Sequence, residues 1–343
     1  MKYTERNDIP ALIIDAIKDP YYERELGEYL DRIGKKTKGK IISSTTLPMP
    51  PRARILRQRY DDEIVVDPVD GCFWKLLGNT VHNILEHHSR PGDIVERRMG
   101  MDMDVKIRGR MNKIHLHCKP DIISDGVMLD YKLTSVYAVM RGEKFEHHAQ
   151  LNVNRFIASK NGIEVKALGN VFLFRDYKPS MVREGSDYPK SHIVQVDVPI
   201  WSDEKVIEYI TERITLHFES ERVSDERLPE CTEAERWTNP PIYKAIKIDK
   251  DGKPQSKAKF KSESMIELEE WMNHDNNAFE RAKDPATKKV MPDVPDISRP
   301  IKYHVETVLG KSARCGFCEA AKFCNQRQRE LAEMSGGDED EEG

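Results

Sequence analysis

The stretch from Ile94 to Leu133 constrains this 343-residue chain most, because three strand-like segments follow one another there with a turn signal between the last two. The segments are Ile94 to Ile107, Lys113 to Ile123 and Val127 to Leu133, and Ser124, Asp125 and Gly126 join the second to the third. Asp-Gly between alternating segments predicts a tight hairpin, since both residues tolerate positive φ. A helical pattern then runs from about Glu146 to Ser159 and stops at Asn161-Gly162, and strands follow around 167–174 and 192–198. Three strands, a helix and further strands predict an α/β core.

The flanks add helices. Residues 1–60 read as an N-terminal arm, with a helix from Tyr21 to Arg32 that Gly34 stops and a connector, LPMPPRAR, too rich in proline to be helical. FWKLLGNTVHNILEHH, from Phe73 to His88, repeats apolar residues at helical spacing, with Trp74, Leu77, Val81 and Leu85 as its expected buried stripe, and it carries His82. Residues 202–222 predict an amphipathic helix with Ile207, Ile210, Ile214 and Phe218 on one face. The core is therefore expected over 61–222. Residues 223–309, polar and rich in Lys and Pro with one helix near Ser262–Arg281, read as an insertion or lid. A cysteine-bearing piece occupies 310–330, and 331–343 reads as a disordered acidic tail.

Charged residues make up 33% of the chain and hydrophobic ones 38%, and no apolar run approaches the ~20 residues that span a bilayer. The start, MKYTERNDIP, lacks the basic and apolar regions of a signal peptide, so the expected location is the cytoplasm, or a host cytoplasm for a phage-encoded chain, with reduced cysteines. The net charge of −4 owes five negative charges to Asp338, Glu339, Asp340, Glu341 and Glu342, which leaves about +1 for the remainder. Near neutrality permits nucleic-acid binding without arguing for it.

Chemistry concentrates on the hairpin. Pro120-Asp121 ends one segment and Asp130-Tyr131-Lys132 lies in the next. Alternate side chains of a strand share a face, so Asp130 and Lys132 are expected together, with Leu129, Tyr131 and Leu133 on an opposite, apolar side. Two carboxylates brought close repel each other, and burying them costs several kcal/mol unless a cation is present. Oxygen ligation suits Mg²⁺ or Mn²⁺, which accept phosphate oxygens, while Lys132 orients or deprotonates an attacking water. A bare P-D…D-x-K match is short, and taken alone it is more often a solvated hairpin. Glu96, in VERR at a strand start, reads as a salt-bridge partner rather than a ligand, and the pairs His87-His88 and His147-His148 read as helix-surface residues outside the site.

With Gly78 and His82 upstream and Gln150 downstream, the pattern resembles the RecB-like branch of the PD-(D/E)XK nucleases, especially phage-type members similar to the CRISPR-associated spacer-processing nucleases. That pattern is G-x-x-x-H, P-D, (D/E)-x-K and Q-x-x-x-Y, then cysteines; residues 50–330 carry the likeness, and Asn154 departs where tyrosine is expected. The resemblance implies a restriction-endonuclease-like core, a mixed central sheet flanked by helices. It also implies that His82, Asp121 and Asp130 bind metal with the Tyr131 carbonyl, that Lys132 is catalytic, and that Gln150 contacts DNA or steadies the site.

Cys315-x2-Cys318-x5-Cys324 is a compact thiol run of the kind that holds a metal in a reducing compartment. A fourth ligand would be Cys231 or Cys72, whereas Cys118, inside the hairpin, reads as a small buried hydrophobe. An isolated cysteine plus a three-cysteine run is more like iron–sulfur than zinc ligation, with zinc the alternative. The resembling nucleases carry a [4Fe–4S] cluster on such a run, and the C-T-x-x-E-R-W context of Cys231 favours it over Cys72.

Gly310-Lys311-Ser312 imitates the end of a Walker A loop, but Val305 stands where its first glycine belongs. Without an ATP motor the chain is expected to be a DNA exonuclease acting on single strands or duplex ends in recombination, repair or replication, with any helicase supplied by a partner. The alternatives are a structure-selective endonuclease and a metal-stabilised DNA-binding module without activity. Because some resembling nucleases form rings, a homo-oligomer is among the states the resemblance allows.

Overall fold

Asp125 and Gly126 take φ angles of 49° and 77° in the computed structural model, the paired positive values that a two-residue hairpin turn demands. The structure describes residues 2–5, 8–18, 21–37, 39–142, 144–285 and 287–336. These form two units of mixed α/β structure: Met1–Cys231 with Glu319–Asn325, and Thr232–Cys318 with the chain from Gln326.

The first unit begins with β1 (Lys2–Tyr3), α1 (Ala11–Lys18), α2 (Tyr21–Thr37), β2 (Lys40–Ser43), α3 (Pro51–Arg59), β3 (Val65–Val66) and α4 (Pro68–His87). The strand-rich part follows as β4 (Ile94–Val95), β5 (Met99–Ile107), β6 (Arg110–Cys118), β7 (Ile122–Ser124) and β8 (Val127–Thr134). It closes with α5 (Val136–Met140), α6 (Phe145–Lys160), β9 (Ala167–Phe174), β10 (Ile193–Val198) and α7 (Asp203–Ser220). One sheet has the order β10-β9-β8-β7-β4, with β8 and β9 parallel and its other neighbours antiparallel; a second has the order β2-β6-β5. The parallel step needs a crossover, and α5 and α6 supply it.

Both long segments expected before the turn are broken. The first is interrupted between β4 and β5, at Glu96–Arg98, and the second between β6 and β7, where Pro120 has no N–H to give a ladder. The main core gathers Met99, Val105, Ile114, Leu116, Ile123 and Met128 from the strands, Leu151, Val153, Phe156 and Ile157 from α6, and Val206, Ile210, Ile214 and Phe218 from α7. Ile207 is exposed, one residue off that stripe, and Trp74 is 47% exposed beneath the Arg175 guanidinium instead of in the core.

The N-terminal arm needs correction. The proline-rich connector is partly helical: α3 starts with Pro51 at its first position, where a missing N–H costs nothing and the fixed φ suits the helix. Gly34 does not stop α2, because a mid-helix glycine costs only about 1 kcal/mol and any Cβ there would meet open space. Residues 40–60 belong to the first unit: β2 pairs with β6 in parallel, and Arg54 of α3 donates to the His217 carbonyl of α7.

Arg52, fully buried, donates to the carbonyls of Leu228 and Pro229 and, at 2.6 Å, to Asn325 Oδ1. Arg57 pairs with Glu319, and Tyr60 stacks on Phe323 with ring centroids 4.2 Å apart. These contacts fasten residues 319–325 to α3.

In the second unit the expected lid, 223–309, contains strands that its polar composition concealed. They are β11 (Ile242–Ile248), β12 (Pro254–Ser262), β13 (Phe279–Lys283), β14 (Val290–Pro300) and β15 (Tyr303–Val308), with α8 (Glu233–Arg236), α9 (Met265–Asn273) and α10 (Asp275–Ala278). The order β12-β11-β15 makes one antiparallel sheet, and β13 pairs with β14. The Thr232-to-Trp237 motif has a structural meaning here: Thr232 and Glu235 form a capping box, Arg236 bonds Ser312 and pairs with Glu330, and Arg314 lies over the Trp237 ring. Residues 331–336, expected in the tail, continue α11 (Asn325–Gly336); the acidic run 338–342 lies outside the described residues. Among the described residues no helix is long and apolar enough to cross a membrane.

Replacing Arg52 strands the buried Leu228 carbonyl and the part-buried Pro229 and Asn325 acceptors, each bond to a charged donor being worth about 1.5–3 kcal/mol. Arg52→Ala is expected to lower the unfolding free energy by at least ~3 kcal/mol in urea titration and to open residues 319–325 to limited proteolysis.

Candidate metal centre

Asp121 sits at the Pro120 break, and Asp130 and Lys132 lie on one face of β8. The face expected to be polar is the buried one. Met128 and Asp130 are 0% and 4% exposed while Leu129 and Tyr131 are half-buried, because α6 covers that side. From α6, Gln150 Nε2 donates to Asp130 Oδ1 at 3.1 Å, and Lys132 Nζ lies 2.7 Å from Asp130 Oδ2. The Tyr131 amide donates to Asp121 Oδ2 at 2.7 Å, which locks the Asp121 carboxylate to β8.

On the other side of Asp121, His82 Nδ1 of α4 is 3.5 Å from its Oδ1 and 3.4 Å from Glu96 Oε1. One ligand atom from each of His82, Glu96 and Asp121 lies within 4.8 Å of the others, which makes this trio able to hold a metal. Glu96, read from the sequence as a salt-bridge partner rather than a ligand, is one, 2.7 Å from Lys119, but it also faces His82 and Asp121. It sits in the break between β4 and β5 with φ at 48°, an uncommon conformation for a residue with a Cβ, and its amide donates to the Asp121 carbonyl. Nothing in VERR announces that bend. Lys119, also unforeseen, lies 2.7 Å from Glu96 Oε2 and 3.1 Å from Glu25 of α2.

The structure thus brings His82, Asp121, Asp130, Lys132 and Gln150 into one network, with Tyr131 between the carboxylates and its ring edge-on to His82. Of the expected ligands the trio keeps His82 and Asp121 and adds Glu96, while both oxygens of Asp130 are engaged by Lys132 and Gln150. Asn154 is buried, as is Asn170, which stands in register with Asp130 on the neighbouring strand. His87 and His88 bond backbone carbonyls of their own helix and stay outside. His147, set aside on the sequence, lines a small cavity with Lys132, Thr134 and Lys144.

Electrostatics explain the strain of the arrangement. Burial, then the neighbouring Asp130 charge, pushes Asp121 up to about 7, against the pull of His82 and the Tyr131 amide. The hydrogen bond to Glu96 raises His82, outweighing burial. Burial works to lower Lys132, but the Asp130 carboxylate overrides it and holds the amine above its ordinary range, so Lys132 is a cation at neutral pH. The donor set is two carboxylates and an imidazole, whose repulsion and trapped protons a divalent cation would relieve.

None of the six cysteines is in a disulfide. Cys118 is the buried hydrophobe expected, its thiol pushed up to about 12 by burial. Cys72 lies on α4; Cys231 and Cys324 belong to the first unit, and Cys315 and Cys318 to the second.

No protein-family model matches the chain, and no curated protein matches it. Among solved structures, one described as the crystal structure of SSO0001 is similar over 60% of this chain and 86% of that one, at 16% identity and a TM-score of 0.39. A likeness that slight bears on neither fold nor chemistry.

Asp121 binds its proton more tightly folded than unfolded, so its contribution to stability is fully present below about pH 4 and is lost as pH rises through about 7. The raised His82 acts in the same direction. In metal-free protein, the stability of wild type relative to Asp121→Asn is therefore expected to fall from pH 4 to 8 in thermal melts, and Mn²⁺ to restore it at pH 8 for wild type alone.

Proposed function

We propose that this chain is a metal-dependent deoxyribonuclease with a restriction-endonuclease-like core, and that it acts as an exonuclease on single strands or duplex ends. The observation that carries the reading is the convergence of His82, Glu96 and Asp121 ligand atoms within 4.8 Å, beside an Asp130–Lys132 pair on the adjoining strand. A dyad of acids with a lysine two residues on, backed by Gln150, is the constellation of the PD-(D/E)XK nucleases that the sequence resembles.

Mg²⁺ or Mn²⁺ would be held by Asp121 and His82, with Glu96 and Asp130 beside them, and would supply Lewis-acid polarisation of a phosphate oxygen and a more acidic water. The chain's own groups do the rest. Lys132, kept protonated by Asp130, is suited to orient the water and neutralise charge building on the phosphate, not to remove a proton. Gln150 holds Asp130 in place. Lys119 holds the second oxygen of Glu96, so that the carboxylate presents its other oxygen toward His82.

The cysteine run belongs to the same proposal on its spacing: Cys315, Cys318 and Cys324 with Cys231 would hold a [4Fe–4S] cluster, or zinc in its place, as a structural element. Cys231 is favoured over Cys72 because the residues that follow it, Thr232 to Trp237, are tied to Ser312 and Arg314 just before Cys315. Iron and sulfide analysis of anaerobically purified protein, beside Cys231→Ser and Cys72→Ser, tests that choice. The expected outcome is cluster loss in the first variant alone.

Activity is tested with end-labelled linear single- and double-stranded DNA and a covalently closed circle, in Mg²⁺ or Mn²⁺. Linear DNA is expected to be degraded and the circle spared. Asp130→Ala and Lys132→Ala should each lose roughly 10³-fold in rate, and Glu96→Ala should weaken the activating metal roughly 10–100-fold. Cutting of the circle would make the protein an endonuclease; DNA binding without cleavage under any metal would leave a binding module.

A further inference from the structure

The second unit carries positive charge that its own ion pairs do not consume. Between Ile242 and Lys261 there are seven lysines and only two acids, Asp249 and Asp251. Lys244 is answered by Glu306 and Lys247 by Glu280. Asp249 turns its Oδ1 inward, accepting from the amides of Asp251 and Lys253 in the hairpin turn. Lys250, Lys253, Lys257, Lys259 and Lys261 are exposed, and none has an ion-pair partner among the described residues.

Three of these five form a row. Along β12, exposed Lys257, Lys259 and Lys261 alternate with Ala258, Phe260 and Ser262, which turn away from solvent. The inward face is fixed by packing: Phe260 stacks on Trp271 of α9 with centroids 5.0 Å apart, and Ser262 bonds Glu267. The strand therefore cannot rotate its lysines inward without losing that stack. Like charges directly opposite one another destabilise a sheet, and Lys261 stands opposite Lys244. Glu306, opposite Lys244 on its other side, takes up the Lys244 charge and leaves that of Lys261 to solvent.

Residues two apart on a regular strand repeat at about 6.8 Å, the scale on which successive phosphates follow one another along a nucleic-acid strand, and the register shift between Phe260 and Ala258 places a bulge at Lys259 within the row. We propose that the lysine row of β12, extended by Lys250 and Lys253 at the turn, is a sequence-independent binding surface for the phosphate backbone of nucleic acid. The choice of nucleic acid among anionic polymers rests on the nuclease reading of the first unit; the surface itself does not. It would hold substrate through contacts that carry no base information, and so add affinity that salt removes.

The test uses the full chain. Fluorescence anisotropy with a labelled 30-nucleotide strand and its duplex is measured across a salt series for Asp130→Ala alone and for Asp130→Ala with Lys257→Glu, Lys259→Glu and Lys261→Glu. The expected result is at least a tenfold loss of affinity at about 100 mM salt, with the slope of log K against log [salt] shallower by roughly 2 to 3. A gentler set, the same lysines changed to Gln, should give a smaller loss of the same kind, and unchanged melting temperatures show that both sets fold. Unchanged DNA affinity overturns the proposal, and self-association of the variants would then mark the lysines as guards of an exposed sheet edge. Loss of binding to phosphatidylserine vesicles with DNA binding intact overturns it in favour of a membrane surface. If the wild type binds through these lysines but cuts no DNA, the nuclease reading fails and the surface stands.

Discussion

Burial and the neighbouring Asp130 carboxylate disfavour charge on Asp121, and the centre of the first unit is organised around that cost. Three carboxylates, those of Glu96, Asp121 and Asp130, face two lysines, Lys119 and Lys132. Asp121 binds a proton more tightly than usual because of burial and the Asp130 charge, and His82 does so because of its hydrogen bond to Glu96. Each compensating group comes from a different element: His82 from α4, Lys119 from the end of β6, Gln150 from α6, Lys132 from β8. Any change that moved one of these elements would return the full desolvation cost to the acids. A dication is the natural replacement for those protons, since it satisfies several carboxylate oxygens at once.

Much of the fold was legible because it follows from local rules. Asp125-Gly126 takes the positive φ pair its residue types permit, and Asn161-Gly162 ends α6 where the apolar pattern stops. The proximity of Asp121 to Asp130 followed from that turn and from strand alternation. Orientation did not. Alternation says that Asp130 and Lys132 share a face, but which face is covered depends on where α6 packs, and that is a tertiary fact. Glu96 was hidden for a related reason: its role arises from a break in a strand that composition reads as continuous, held by the hydrogen bond from its amide to the Asp121 carbonyl. Proline misled in the opposite direction at Pro51, where a residue that breaks helix interiors begins one.

The segment expected as a lid shows how composition can conceal structure. A strand such as β12 alternates lysine with alanine and phenylalanine, and its polar half lowers the average below what a buried strand would show. Half-solvated antiparallel strands are visible to a period of two and invisible to mean polarity. The same alternation that obscures the strand places its lysines in one row.

Residues 319–325 of the cysteine region and the N-terminal arm, expected as separate appendages, meet within the first unit. Arg52, Arg57 and Tyr60 of the arm reach Asn325, Glu319 and Phe323, so the segment bearing Cys324 is held by residues more than 260 positions earlier. A buried guanidinium is expensive to desolvate, and Arg52 is tolerable only because carbonyls of Leu228 and Pro229 and the Asn325 amide oxygen surround it. Those carbonyls lie just before Cys231. One side chain therefore fixes the approach to Cys231 and the residue after Cys324 together.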